Sequence, residues 1–251
     1  MKILLLDIET APHRVYAWGL WDQNIALNQI EEPGYTMSWA AKWLDKKSIQ
    51  FMGLNKHSKE DMIEGIYDLV DAADVVVHYN GTKFDMPTLN QEFALLGLSK
   101  PSPYKQVDLL RTVRKQFRLP SNKLSYVSMY LGLGDKTQHK GMGLWRECMA
   151  GDPRAWKTME TYNKQDVVLL EKMYNKLKPW IDGHPNVALY DGDETVRCPR
   201  CGGTHLQKRG YAYTPTMKYQ QYHCQDCGAW SRARLNSMEK EKRASILVEA
   251  K

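Results

Sequence analysis

The stretch "KILLLDIET", Lys2 to Thr10, is an apolar run that ends in Asp, Ile and Glu. Ile3 to Leu6 read as a strand built for the interior of a sheet. Side chains alternate faces along a strand, so Asp7 and Glu9 share one side while Ile8 packs on the other. Like charges held that close repel unless something positive sits between them. Two carboxylates converging at a strand end suit a hard divalent cation such as Mg²⁺ or Mn²⁺. The plainer reading is a strand fraying into a solvated loop, and D-x-E alone does not separate the two.

Outward from this strand, Thr36 to Lys42, Ile49 to Leu54 and Val75 to His78 are further strand-like runs. Ser58, with Asp61 three positions on, predicts the start of a helix reaching about Ala72. Asp152 followed by Pro153 predicts a long helix to about Lys178, because proline is tolerated at the first helical position. Pro179 and the Gly183, His184, Pro185 run stop it. Strands followed by mixed strands and helices indicate an α/β architecture with a mixed sheet flanked by helices. The expected division is a body over residues 1–181, a Gly-, Asp-, Asn- and Pro-rich linker over 182–194, a small cysteine-bearing module over 195–235 and a charged tail over 236–251.

A chain of 251 residues with 43% hydrophobic and 25% charged residues can bury one good core and carry a small appendage. No apolar stretch reaches the roughly 20 residues a bilayer requires, and the first residues lack the basic region and cleavage site of a signal peptide. The expectation is a cytoplasmic protein with no membrane partner. The net charge of +6 is unevenly placed: from Asp193 onward there are 11 Lys plus Arg against 6 Asp plus Glu, and before it 24 against 23. A near-neutral body with a basic appendage suits a protein that does chemistry in one part and holds a polyanion with the other. A solvated, solubility-giving surface accounts for the same charge.

Two further segments bear on the opening carboxylates. In "HYNGTKFDMPTL", His78 to Leu89, a strand ends in a polar turn and Phe84 and Asp85 lead into a helix. Asp85 is placed to cap that helix, with Pro87 just inside it. In "TYNKQDVVLLEKMY", Thr161 to Tyr174, Tyr162 and Asp166 lie four apart and share one helix face, beside an apolar stripe of Val167, Leu170 and Met173. Read alone, these two are a surface Tyr and Asp.

Together the three segments resemble the motifs of the DEDD exonuclease superfamily, which has a ribonuclease H-like fold: D-x-E, N-G-x-x-F-D-x-P and Y-x-x-x-D, in that order. The second motif looks most like that of family B DNA polymerase proofreading domains and their stand-alone relatives. One branch of the superfamily has a histidine five residues before the last aspartate, where Thr161 stands here. The other has a tyrosine four before it, and Tyr162 is there, so the chain is similar to the tyrosine branch. The resemblance implies hydrolysis of phosphodiesters from the 3′ end by two Mg²⁺ or Mn²⁺ ions. By the family's pattern Asp7 would serve both ions, Glu9 and Asp166 the one that activates water, and Asp85 the one near the leaving group. Tyr162 would orient the attacking water, since a free tyrosine pKa of about 10 makes a poor base at neutral pH. Asn80 and Phe84 resemble substrate-contacting positions, a core role for Phe84 being an equal alternative. Lys83 and Arg111 could meet phosphates. Asp108 receives no catalytic role.

The appendage carries "CPRC", Cys198 to Cys201, and "CQDC", Cys224 to Cys227, each followed by glycine. Four thiolates in two C-x-x-C turns suit one tetrahedral Zn²⁺, and the alternating segment between and after them looks like a zinc ribbon. So short a segment has too little core to fold unaided, and a redox dithiol is the competing reading. His205 and His223 are spare. Cys148, on a predicted helix, reads as a small buried hydrophobe. Between Arg197 and Arg234 stand 7 basic residues and a single acidic one, interleaved with Tyr211, Tyr213, Tyr219, Tyr222 and Trp230. Cations pair with phosphates and rings stack on bases, although some of the rings must form the module's own core.

The expected function is a 3′-to-5′ exonuclease acting on single-stranded nucleic acid, DNA favoured over RNA, with the ribbon gripping the strand or a replication protein. The compact two-part build resembles phage-encoded replication nucleases, which implies a host cytoplasm as the location. The alternatives are an RNA exonuclease, a structure-specific endonuclease, or an adaptor whose nuclease fold is catalytically silent. Four carboxylates set to converge favour an enzyme, because a silent fold has no physical need of them.

Overall fold

The computed structural model describes residues 1–44, 46–134, 140–190 and 192–250. Its packing divides the chain between Tyr174 and Asn175 into a body, residues 2–174, and a C-terminal unit, residues 175–251 with Met1. The body opens with β1 (Ile3–Thr10), a short hairpin of β2 (Arg14–Val15) and β3 (Ile30–Glu32), then β4 (Thr36–Trp43) and β5 (Gln50–Gly53). Helix α1 (Lys59–Asp71), β6 (Val75–His78), α2 (Asp85–Leu95), β7 (Lys105–Asp108), α3 (Leu109–Gln116), α4 (Leu124–Tyr130), α5 (Met142–Met149) and the long α6 (Pro153–Leu177) follow.

Five strands form one sheet in the order β5-β4-β1-β6-β7. β1 lies between antiparallel β4 and parallel β6, so the sheet is mixed, as the α/β reading expects. β6, Val-Val-Val-His, is buried along its whole length, as a central parallel strand covered on both faces must be. β1 runs past Leu6 to Thr10 because Asp7 and Glu9 pair with Ala40 and Ser38 of β4. The carboxylates therefore stand on ordered strand and not on a frayed loop.

The pleat sorts the two faces of β1. Leu4, Leu6 and Ile8, with Trp39 and Ala41 of β4, pack against Met62, Ile63 and Ile66 of α1 and against Met86, Leu89 and Phe93 of α2. Asp7 and Glu9 point the other way, where the neighbouring side chains of β4 meet α6: Ser38 through Asn163, and Lys42 through an ion pair with Glu171. Two local signals act as their residue types dictate. Ser58 Oγ accepts the Asp61 N–H at 3.0 Å to start α1, and Asp152 Oδ1 accepts the Arg154 N–H at 2.7 Å to start α6.

In the C-terminal unit, the stretch read as a linker is short 3₁₀ structure at Val187–Tyr190, and the Val187 N–H donates to Pro199 O at 2.8 Å. Strands β8 (Leu206–Tyr213), β9 (Lys218–Cys224) and β10 (Trp230–Arg232) form an antiparallel sheet in the order β10-β9-β8. Beyond β10 the chain stays beside β9, with Ala233 and Ser237 N–H groups donating to Gln220 O and Lys218 O, before the short α7 (Lys240–Ala244). Among the described residues no helix is long and apolar enough to cross a membrane.

Candidate active site

Strand β1 and helix α6 bring three of the expected ligands together: Asp7, Glu9 and Asp166 each offer a carboxylate oxygen, and these atoms lie within 4.8 Å of one another. Asp166 is buried, one turn after Tyr162 on the face that Val167, Leu170 and Met173 continue into the core. Three carboxylates so close repel strongly outside bulk water. A hard dication between them relieves that repulsion, and the all-oxygen donor set is the one Mg²⁺ and Mn²⁺ take.

Asp85 lies outside these three and meets the strand between the first two by a route that corrects the sequence expectation. It does not cap α2 but is its first residue, and Phe84 holds the capping position without a side-chain bond. The Asp85 carboxylate reaches across to β1 and accepts the Ile8 N–H at 3.3 Å, between the two acidic side chains of D-x-E. Burial pushes its pKa up to about 7, with the negative charge of Asp108 adding to the rise and backbone N–H groups opposing it. A carboxyl held this close to neutrality ionises fully once a cation compensates its desolvation.

The turn before α2 is built to aim Asp85. His78 is fully buried; its Nδ1 accepts the Gly81 N–H at 3.0 Å, which fixes Nε2 as the donor to Gln106 Oε1 at 3.1 Å. Gly81 lies so near that ring that a Cβ there would sit 2.4 Å from His78 Cγ, so only glycine fits. Asn80 takes a left-handed φ of 70°, which asparagine tolerates, and its N–H donates to Asp108 Oδ1 at 2.9 Å. Asp108 also accepts the Leu110 N–H at 3.0 Å, so its place is the start of α3, away from the carboxylate cluster's ligand set. Phe84 is 44% exposed, which removes the core alternative, and Lys83 and Arg111 are exposed as well.

Tyr162 is a buried residue, not the surface tyrosine of the plainer reading. It sits among Met37, Leu144 and Met159, edge-on to Trp145 with ring centroids 6.1 Å apart. Sequence reasoning missed its neighbour. Asn163 is fully buried and donates through Nδ2 to Asp7 Oδ2 at 2.6 Å and to Asp7 O at 3.3 Å, while its Oδ1 accepts from Ser38 Oγ at 3.3 Å. With Asp7 ionised the reverse amide orientation would set oxygen against oxygen, so the bonding fixes both side chains. The only signal in the sequence was a polar residue on the inward face of the helix beside Tyr162.

The second cluster lies within the C-terminal unit. Cys198 and Cys224 are buried, Cys201 and Cys227 half-buried, and all four sulfurs lie within 4.8 Å of one another. The Cys198–Cys227 and Cys201–Cys224 sulfur pairs are each 3.7 Å apart. That is far beyond a disulfide bond of about 2.05 Å. It matches the edge of about 3.8 Å of a tetrahedron whose metal–sulfur distance is about 2.3 Å. Gly202 and Gly228, at φ 75° and 76°, let both knuckles turn, and N–H groups of Arg200 and Gly203 donate to the sulfurs at 3.4 Å. The donor set and geometry fit a zinc ribbon. His205 pairs with Asp226 and His223 packs on Trp230, so neither joins the four. Cys148 is buried on α5 and its thiol pKa is pushed up to about 11 by burial, as a small hydrophobe's would be.

A mixed sheet whose central strand ends in paired carboxylates, completed by an acidic residue from a late helix, defines a ribonuclease H-like domain of nuclease type. The sequence pattern of the RNase H superfamily matches residues 4–178, and the chain belongs to that superfamily. Among solved structures it resembles the family B DNA polymerase from the hyperthermophilic archaeon Pyrobaculum calidifontis, with a TM-score of 0.54 and 20% identity over 71% of this chain and 24% of that one. This likeness is one of fold. Protein NEN3 of Arabidopsis thaliana is 28% identical over 85 residues, covering 33% of this chain and 17% of that protein. Protein NEN2 of the same plant is 26% identical over 99 residues, covering 36% and 20%. The matches thus span a fifth or less of these curated relatives.

Proposed function

We propose that this chain is a metal-dependent 3′-to-5′ exonuclease of single-stranded nucleic acid, DNA favoured, with residues 1–181 as the catalytic part and the ribbon of residues 195–235 aiding the grip. The observation that carries the reading is the convergence of Asp7, Glu9 and Asp166 within 4.8 Å, with Asp85 bonded to the backbone between the first two. These four carboxylates are the residues that would hold two Mg²⁺ or Mn²⁺ ions, which supply charge that stabilises both the attacking and the leaving oxygen of a phosphodiester. Asn163 holds Asp7 in one orientation and Gly81 with His78 aims Asp85, so the ligands are set before substrate arrives. Tyr162, packed against Trp145, is positioned by the body's core and serves to orient the attacking water. Asn80 and Phe84, in the turn beside Asp85, meet the terminal nucleotide. Cys198, Cys201, Cys224 and Cys227 hold one structural Zn²⁺.

The test is a time course on 5′-labelled single-stranded DNA and RNA of one sequence, with Mg²⁺, Mn²⁺ or EDTA, beside Asp7→Ala. The expected result is a metal-dependent ladder that shortens from the 3′ end, faster on DNA and absent in the variant. Cleavage at internal positions would replace the exonuclease with an endonuclease. Intact strands under every metal would turn the reading to the adaptor.

A further inference from the structure

The chain leaves β1 just after the carboxylates, makes an excursion from Pro12 to Pro33, and returns at Tyr35. The neck is closed by the Ala11 N–H donating to Tyr35 O at 2.8 Å. Ala11 and Tyr35 pack into the cluster that seats Tyr162, so the base of the excursion is anchored in the wall of the active site. Above the neck, β2 and β3 pair, and Arg14 bridges Glu31 and Glu32 at 3.1 and 3.0 Å. Gln29 clamps the arms, donating to Tyr16 O and accepting the Ala26 N–H, both at 2.8 Å.

The tip beyond this ordered base buries almost nothing: Trp18 is 98% exposed, Leu20 91% and Trp21 82%. Elsewhere in the body the same residue type goes inside, as Trp39 and Trp156 do. Leaving two indoles in water forgoes on the order of 2 kcal/mol of burial each and invites aggregation. A folded hairpin that presents them is built to receive something flat and apolar.

We propose that this hairpin is a stacking platform for the bases of the strand whose end lies at the carboxylates; the inference rests on the nuclease reading. Trp18 lies nine positions after Glu9, so the tip lies within about 30 Å of the site even along a fully extended path. Both indoles are almost wholly exposed and so within reach of a base, and stacking is indifferent to sequence, as an exonuclease that must pass every nucleotide requires. Arg14 is already satisfied by Glu31 and Glu32, so the hairpin offers rings and not free cations. Its charged residues are Arg14 against Asp22, Glu31 and Glu32, so it adds no attraction for phosphates, and what it contributes is tied to its rings and the bases.

The test measures binding of the full-length protein in EDTA, where nothing is cut, to labelled oligo-dT and to an abasic strand of equal length. Trp18→Ala with Trp21→Ala weakens oligo-dT binding by about 10- to 100-fold and leaves abasic binding and the salt slope as they were. Trp18→Phe with Trp21→Phe, which keeps a ring at each position, restores most of the affinity. An equal loss on both strands, or none on either, overturns the platform. So does a change from dimer to monomer by sedimentation with strand affinity unchanged, which assigns the tip to a second copy of the chain. Because cleavage is not read here, base-dependent binding in a protein that cuts under no metal would keep the platform and reject the nuclease. Metal-dependent cutting with indifferent tryptophans would do the reverse.

Discussion

The body and the C-terminal unit each gather metal-ligating side chains, and they stand in opposite relations to their own folding. In the body one apolar cluster, from Leu4 to Phe93, fixes β1 and α2, and a second, with Met37, Trp156, Met159 and Tyr162, seats α6; between them the fold holds Asp7, Glu9 and Asp166 together against their mutual repulsion and keeps Asp85 buried at a raised pKa. The cluster is a product of the fold, and it works against the fold when no cation is bound. In the C-terminal unit the buried hydrophobic cluster is Cys198, Cys224 and Ala229, with Cys201, Leu206 and Cys227 against it. Four of those six are the clustered cysteines themselves. A module this small has too little apolar surface to fold unaided, so its cluster, once it holds a metal, is expected to be the cause of the fold.

The largest effect should come from breaking the second half of this contrast. Cys224→Ser, or removal of metal by a strong chelator, is expected to erase the dispersed amide resonances of β8 to β10 while those of β1, β4 and β6 persist. A ribbon that keeps its resonances without metal would abolish the distinction. Next, Asp166→Asn should reduce cleavage to background yet leave the metal-free melting temperature unchanged or higher, because one of the repelling charges is gone. A clear fall in melting temperature would show that the carboxylate supports the fold after all.

Removing residues after Asp193 sharpens the comparison from the substrate's side. Binding to single strands should weaken and its salt dependence flatten, since the deleted part carries 7 basic residues against one acidic between Arg197 and Arg234. An unchanged salt slope would assign the ribbon to a protein partner. Asn163→Ala tests the orienting contact on Asp7 and should lower activity by about 10- to 100-fold, with more metal needed for half-maximal rate. Equal metal requirements in the two proteins would make Asn163 a packing residue.

The smallest effect concerns pH. Burial lowers the pKa of His78 from its ordinary 6.5, since desolvation of the buried ring outweighs the opposing pull of Asp108 and Gln106. Only the unfolded chain then takes up this proton, so stability present above about pH 6.5 is lost as the pH falls. His78→Asn, whose oxygen can accept the Gly81 N–H without titrating, should flatten the acid limb of the melting-temperature profile. An identical slope would place the loss in other groups.

Much of the site was legible from local signals. Asp7 and Glu9 declare a shared face through strand alternation, Tyr162 and Asp166 through the helical repeat, and the two C-x-x-C pairs through their spacing. Ser58 and Asp152 start their helices as their side chains dictate. Asp85 was named correctly as a carboxylate near a helix start, but its cap assignment failed because the bond to Ile8 spans 77 positions and leaves no local mark. Asn163 went unread for the same reason, since Asp7, its partner, lies 156 positions away.

By itself the sequence determined the order and chemistry of the clustered carboxylates and cysteines, the strand and helix periods, and the existence of a separate cysteine module, because residue type and short spacing carry these. Tertiary structure alone decided that Asp85 turns to β1, that Asn163 clamps Asp7, that Asp108 serves α3, and that Trp18 and Trp21 stand in water while Trp39 is buried. An indole has the same local signature in a core and on a hairpin tip. Which it becomes depends on whether distant strands and helices close over it, and that is settled only when the sheet assembles.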